Sequence, residues 1–320
     1  MTDRNSNIPA EIAGSGLTRR SALKVLAGSG AALIIGAVPD VFPAAALRSR
    51  TIPATGEPLP AIGLGTWRTF DVPAARAVNG PLAEVLRLFV ETGGRLVDSS
   101  PMYGQSEEVG GELAEALGVS GALFRATKVW TRGREAGNRQ GENSRRLMGG
   151  RRIDLMQVHN LVDWRTHLPA LREWKAAGRI RFLGVTDYRL SAFDELAHLI
   201  RRERLDFVQL PYSVVFRGAE KRLLPMAADH GTAVIVNRPF EEGQLFRTVR
   251  GKALPPWAEE FDCASWAQFF LKFILANPAV TCVIPATSKA KHLRDNMAAG
   301  RGRLPDPSHL KRMAALADGW

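Results

Sequence analysis

RLVDSSPMYGQSEEVGGELAEALGVSGALFRATKVW, residues 95–130, is the stretch whose reading decides the fold. RLVD is a short apolar run that ends on a charge. SEEVGGELAEAL carries apolar residues at helical spacing, and FRATKV is a second strand-like run. A strand, a helix and a strand in close succession form a right-handed crossover between parallel strands. The same alternation fills the chain from residue 60 onward. The strand-like runs are AIGLG (61–65), RLVD (95–98), FRATKV (124–129), IDLMQVH (153–159), IRFLGVT (180–186), DFVQLP (206–211), TAVIVN (232–237) and VTCVIP (280–285). Between them the helix-like stretches run from PAARAVNGPLAEVLRLFVET through NSRRLMG and CASWAQFFLKFILAN to KAKHLRDNMAAG. Several strands are apolar throughout, as strands buried on both faces must be. Eight such units without a second composition zone predict an α/β chain of one domain, a (β/α)8 TIM barrel. A doubly wound sheet is the alternative. It calls for a G-x-G-x-x-G turn after the first strand, and GLGTW at 63–67 has two of those glycines and no helix directly behind it. The longest non-helical stretch, 238–261, follows the seventh strand, which places a large loop on the C-terminal, functional face.

Composition narrows the function. The 320 residues are 45% hydrophobic and 23% charged, which excludes a disordered chain. Glycine and proline follow no period, which excludes a fibre. Two cysteines exclude a disulfide scaffold and a four-thiolate metal site. Cys282 in a strand and Cys263 in a helix are expected to be buried, inert thiols. The net charge is +11. Its densest groups, Arg145–Arg146 with Arg151–Arg152, Arg201–Arg202 with Arg204, and Arg301 with Arg303, are dispersed along the chain. No aromatic residues interleave with them. A solvated arginine surface is expected, against a competing reading as a nucleic-acid or membrane-surface binder. No apolar stripe is left over, so a monomer is expected.

The N-terminus reads as an address. TRRSALK (18–24) precedes the apolar run VLAGSGAALIIGAV (25–38), and Ala44-Ala45-Ala46 gives a small-residue cleavage pattern. The run falls short of the roughly 20 apolar residues that span a bilayer. Paired Arg19-Arg20 resembles a twin-arginine export signal, a route that carries folded proteins. The expectation is a signal peptide over 1–46, the barrel domain over 47–320, the twin-arginine translocase as partner and a periplasmic location. Without use of the signal the protein stays in the cytoplasm. An uncleaved amphipathic anchor is the alternative; after cleavage no membrane span remains.

Polar residues at strand ends converge on the mouth of a barrel. Asp98 closes the second strand, Tyr103 follows in its loop, Lys128 lies near the end of the third, and His159 closes the fourth. A buried Asp and Lys on neighbouring strands neutralise each other, and alone would read as a structural ion pair. His159 alone would read as a satisfied core histidine. With Tyr103 added, the set reads as chemistry. No cluster has metal-ligand spacing, so no metal is expected.

These residues, with GLGTW, VDSSPMYGQSEEVGGELAEAL, TKVW, DLMQVHN, LGVTD and IPATSKAKHLRDNM, give the chain its resemblance to the aldo-keto reductases, from residue 61 to the C-terminus. The resemblance implies a (β/α) barrel and reversible reduction of an aldehyde or ketone by NADPH, with NADH as the other possible cofactor. It implies Tyr103 as proton donor, Lys128 and Asp98 as its tuning pair, and His159 as carbonyl orienter. A cationic Lys128 beside the phenol is expected to lower its pKa from the usual value near ~10. For the cofactor it implies Gly65, Thr66, Trp67, Asp98, Thr186, Asp187 and Gln209, with Tyr212 stacked on the nicotinamide. Thr287, Ser288, Lys289 and His292 would hold phosphate, and Asp295 and Asn296 would contact adenine. Asp187 and His292 depart from the family's usual Asn and Arg. Trp67, Trp130, Asn160 and Trp164 are the candidate substrate pocket, or equally loop packing. The chain stops soon after its last expected helix, so an open pocket is expected. The alternative function is a nicotinamide-binding sensor without turnover.

Overall fold

The computed structural model describes residues 46–150 and 152–320. The expected export signal lies, but for Ala46, outside the described residues. A short antiparallel hairpin comes first, β1 (Ser49–Thr51) with β2 (Pro58–Pro60). Eight parallel strands follow: β3 (Leu64–Gly65), β4 (Leu96–Asp98), β5 (Phe124–Val129), β6 (Ile153–His159), β7 (Ile180–Thr186), β8 (Phe207–Pro211), β9 (Ala233–Asn237) and β10 (Val280–Val283). Each pairs with its chain neighbour, in unbroken order. Bridges from Ile62 to Val283 and from Gly65 to Ala286 join the first strand to the last and close the barrel. Gly65 is required there, because a Cβ would sit 2.9 Å from the Ile284 carbonyl oxygen at the seam.

Strand alternation sorts the residues into two layers. Leu96, Phe124, Ala126, Leu155, Phe182, Phe207, Ala233, Ile235, Cys282 and Ile284 form one apolar cluster inside the barrel. Phe182 stacks on Phe124 at 5.8 Å and meets Phe207 edge-on at 5.4 Å. The intervening residues, such as Val97, Met156, Val158, Leu183, Val208 and Val234, face the helices in a second, larger cluster. Ile52 and Leu59 bring the hairpin into the interior cluster. It lies at the N-terminal end of the strands, where Glu57 pairs with Arg181. Three prolines across 53–60 hide this hairpin from a strand reading, because proline removes ladder donors.

Several expected elements shift. The stretch after β3 forms two helices, Ala74–Ala77 and Pro81–Glu91, divided at Gly80. NSRRLMG is only the end of a helix, Arg134–Leu147. That helix is so polar that its inner face consists of Gly137, Gly141 and Ser144. The glycines let it approach His167 and Trp174 closely. The segment 238–261 contains a short helix, Gln244–Thr248, and a 3-10 turn, Pro256–Phe261. Cys263 precedes the helix Trp266–Leu275 instead of lying in it. Both thiols are buried and free, and burial pushes Cys263 up to about 11. The chain ends in a helix that the periodicity reading passed over, Pro307–Asp318. Its start is marked by Asp306, which accepts from the His309 backbone N–H, followed directly by Pro307. Much of the arginine surface is paired or bonded to backbone: Arg145 with Glu142, Arg303 with Asp262, Arg301 with the Thr92 carbonyl. No helix among the described residues is long and apolar enough to cross a membrane.

Candidate active site

The alternation that fills the core also builds the site. Along each strand, the inward positions change from apolar to polar towards the C-terminal end: Leu96 then Asp98, Phe124 and Ala126 then Lys128, Leu155 then Gln157 and His159. Phe207 precedes Gln209, and Ala233 and Ile235 precede Asn237. The polar ends converge on a cavity of about 460 Å³ whose lining includes Asp98, Tyr103 and His159.

Lys128 is fully buried, with Nζ 2.6 Å from Asp98 Oδ2 and 2.6 Å from the Ser99 carbonyl. The second Asp98 oxygen accepts from Gln209 Nε2 at 3.0 Å and from Gln157 Nε2 at 3.2 Å. Both carboxylate oxygens are thus engaged in a site where bare charge is costly. Burial pulls the Lys128 pKa down, but Asp98 and the Tyr103 phenol hold it above its usual value, so the ammonium stays charged.

Tyr103 stands over this pair, its ring centroid 5.0 Å from Lys128 Nζ. Gly104 makes the turn behind it with φ of 58°, where a Cβ would run into the Asp71 carboxylate. The net shift of the phenol is opposite to the sequence expectation. Burial raises its pKa more than Lys128 lowers it, and Asp98 adds to the rise. Tyr103 is therefore a neutral phenol at neutral pH, a proton source.

His159 meets Tyr103 edge-on at 5.7 Å. Burial, aided by the nearby Lys128 charge, drives its pKa from 6.5 to about 3, so the ring is neutral. A stability consequence follows. Between pH 6.5 and 3 the unfolded chain takes up a proton that the folded ring refuses, so acid destabilises the fold. Relative to a His159→Gln variant, the wild type is expected to lose about 2 kcal/mol between pH 7.5 and pH 5, by urea unfolding at both pH values. Equal losses in the two proteins would show that the ring titrates normally.

Of the expected cofactor residues, Gly65, Thr66, Trp67, Thr186 and Gln209 line the same cavity as Asp98. Asp187 does not. It is fully buried and bound by Arg189, at 2.6 Å to Oδ2 and 3.0 Å to Oδ1, so its departure from Asn is neutralised locally. Tyr212 is also turned away. Gln209 points inward, and Tyr212, an odd number of positions further, faces the helices, packs on Phe273 and donates to Glu220. Asn237 reaches the cavity instead.

Thr287 is buried and accepts the Lys289 N–H at 3.1 Å, starting the helix Ala290–Ala299. That helix has no side-chain cap, and Ser288, Lys289 and His292 surround its open N-terminus. On the same helix, Asp295 accepts from Ser265 Oγ and Gln268 Nε2, and Asn296 is buried, so neither lines the cavity.

Among the substrate-pocket candidates, Trp67 and Asn160 line the cavity. Trp130 stands at the rim, 6.4 Å from His159. Trp164 is excluded from it, since its indole N–H donates to Glu195 and Arg165 covers its ring. Residues absent from the sequence reading complete the mouth: Met102, Tyr188, Arg238, Phe240 and Phe246. Four sit on loops and Phe246 on the short helix Gln244–Thr248, segments where no periodicity marks them. Arg68, Asn160, Arg238 and Glu242 hold positive φ around this mouth, the kind of backbone strain that gathers at functional sites.

A nicotinamide dinucleotide fits what is present. The buried Asn237 Oδ1 and Arg238 Nε have no hydrogen-bond partner among the described residues, so they offer one acceptor and one donor to a polar ligand in the cavity. The uncapped helix N-terminus beside Lys289 suits phosphate.

The site is built to move one proton onto an oxygen at the floor of a barrel cleft. Comparison with known proteins gives the family that does this: residues 61–317 match the Aldo/keto reductase family, and the chain belongs to it. It is an NAD(P)H-dependent oxidoreductase. It is 27% identical over 247 residues to the methylglyoxal reductase YeaE of Escherichia coli K12, covering 75% of this chain and 85% of that protein. The NADH-specific methylglyoxal reductase of the same organism is 27% identical over 233 residues, covering 61% and 68%. In fold, the chain matches the aldo/keto reductase of Klebsiella pneumoniae solved with NADP and acetate, with a TM-score of 0.70, 24% identity and coverage of 82% and 93%.

Proposed function

We propose that this protein is an exported, NADP(H)-dependent reductase of aldehydes or ketones whose carbonyl is carried on a large apolar body. The observation that carries the reading is the assembly of Tyr103, the buried Lys128–Asp98 pair and neutral His159 on one cavity floor. Reduced nicotinamide, when bound, supplies the hydride for the carbonyl carbon. Tyr103 gives its phenolic proton to the carbonyl oxygen, and Lys128 stabilises the phenolate left behind. Asp98 keeps the ammonium in place. His159 donates a hydrogen bond that orients the oxygen. A sensor without turnover would have no use for a proton donor held in its acid form.

The apolar substrate body is supported by the rim. Six large hydrophobic side chains are exposed among the described residues: Met102, Trp130, Tyr188, Leu190, Val215 and Phe246. All six lie on segments that follow β4, β5, β7, β8 or β9, at the mouth of the barrel. An exposed apolar patch confined to the functional face marks a binding surface. A three-carbon substrate would not need it. In NADPH oxidation assays, an aromatic aldehyde is expected to exceed methylglyoxal in kcat/KM by about 10-fold or more. The pair Trp130→Ala, Tyr188→Ala should erase that advantage and leave methylglyoxal unaffected. Equal loss for both substrates would remove the apolar ledge from the account.

NADP over NAD is supported by the cationic Lys289 and Lys291 at the helix start. Export is supported by Arg19-Arg20 ahead of the apolar run. Fractionation tests it: Arg19→Lys with Arg20→Lys should hold the enzyme in the cytoplasm, and unchanged distribution would refute the signal.

A further inference from the structure

We propose that Ser100 is a positioning residue that fixes the tautomer of His159. Ser100 is fully buried, and its Oγ lies 2.9 Å from His159 Nδ1. The same oxygen accepts the Met102 backbone N–H at 3.2 Å. A hydroxyl has one proton to donate. Among the described residues, Nδ1 is the acceptor available to it. Were Nδ1 protonated, it would donate to Ser100, and the hydroxyl hydrogen would be left buried without an acceptor. That penalty favours the other arrangement by roughly 10-fold or more. Ser100 therefore donates to Nδ1, and the ring proton resides on Nε2.

The choice matters because the ring is neutral and has a single N–H. His159 lines the cavity, and no hydrogen bond joins its Nε2 to another of the described residues. With the proton on Nε2, the ring offers a donor to the substrate oxygen beside the Tyr103 hydroxyl. With the proton on Nδ1, it would present a lone pair to that oxygen and repel it. One turn thereby serves three partners. The Ser99 carbonyl accepts from Lys128, the Ser100 carbonyl accepts the Tyr103 N–H at 2.9 Å, and Ser100 Oγ sets His159. The proposal rests on the assignment of His159 as carbonyl orienter, but its first readout needs no substrate.

The experiment uses the full chain with 15N-labelled histidine, its His159 ring signals identified by their loss in His159→Gln. The wild type should show protonated Nε2 and bare Nδ1. A protonated Nδ1 in the wild type would overturn the proposal without recourse to any variant. Ser100→Ala should give a mixed or reversed pattern, with kcat lowered about 10-fold and KM changed less than 2-fold. Ser100→Thr, which keeps the hydroxyl, should restore both the ring pattern and kcat. Loss of kcat in Ser100→Ala with the wild-type ring pattern would assign the residue a merely structural role and overturn the proposal. If the ring pattern responds as expected while kcat is unchanged, the tautomer assignment holds and the orienting role of His159 is what fails.

Discussion

Tyr103→Phe is expected to reduce kcat for carbonyl reduction by about 10²- to 10⁴-fold, the range for loss of a positioned general acid. The substitution removes one hydroxyl and keeps the ring that packs edge-on against His159. Cofactor affinity should stay within a factor of two, which intrinsic fluorescence titration with NADPH checks. The direction of the phenol's shift adds a second expectation. Because burial outweighs the pull of Lys128, Tyr103 remains protonated through neutral pH and beyond its usual range. Loss of the proton donor should therefore not limit the reductive rate at any pH below 10. Full turnover in Tyr103→Phe would remove the proton-transfer role. An alkaline limb near pH 7 that disappears in the variant would show Lys128, and not burial, in control of the phenol.

Lys128→Met carries the largest expected effect on stability. The ammonium is fully buried, and its removal leaves Asp98 as a buried carboxylate held only by two amides, from Gln157 and Gln209. Breaking a buried pair from one side costs about 3–5 kcal/mol. Asp98→Asn, which strands the lysine instead, should cost a similar amount. The double variant should be less destabilised than the two singles added together, because no unpaired charge remains. Urea unfolding of the four proteins at pH 7 measures the coupling. Single costs below 1 kcal/mol that simply add would mean that water reaches the pair and that its charge does not shape the site. Activity should be lost in all three variants, so the stability readout is what identifies the pair as the structural keystone.

Much of this was legible along the chain, for a physical reason. Strand side chains alternate, and a barrel has a polar end and an apolar middle. IDLMQVH therefore displays Leu155, Gln157 and His159 on one face, and FRATKV displays Phe124, Ala126 and Lys128. Reading every second residue to the strand end finds Asp98, Lys128, His159 and Gln209. The same rule, applied strictly, turns Tyr212 away from the cavity, against the stacking role that the family resemblance implies for it. Asp187 and Trp164 fit the site by position along the chain but are bound by Arg189 and Glu195. Such partners are set by loop geometry and carry no periodic signal. The hairpin at the foot of the barrel and the arginine and aromatics of the 238–261 loop were hidden for related reasons, proline in one case and irregular backbone in the other.

The order of eight strands and helices, and the chemical identity of the groups at the strand ends, were determined by the sequence, since both follow from local period and residue type. Three matters were decided by the tertiary structure: the closure of Gly65 against the last strand, the hydroxyl of Ser100 against His159, and the balance that leaves Tyr103 protonated. Each depends on the distance between residues far apart in the chain, or on how completely a group is removed from water. Neither quantity exists until the chain has closed on itself.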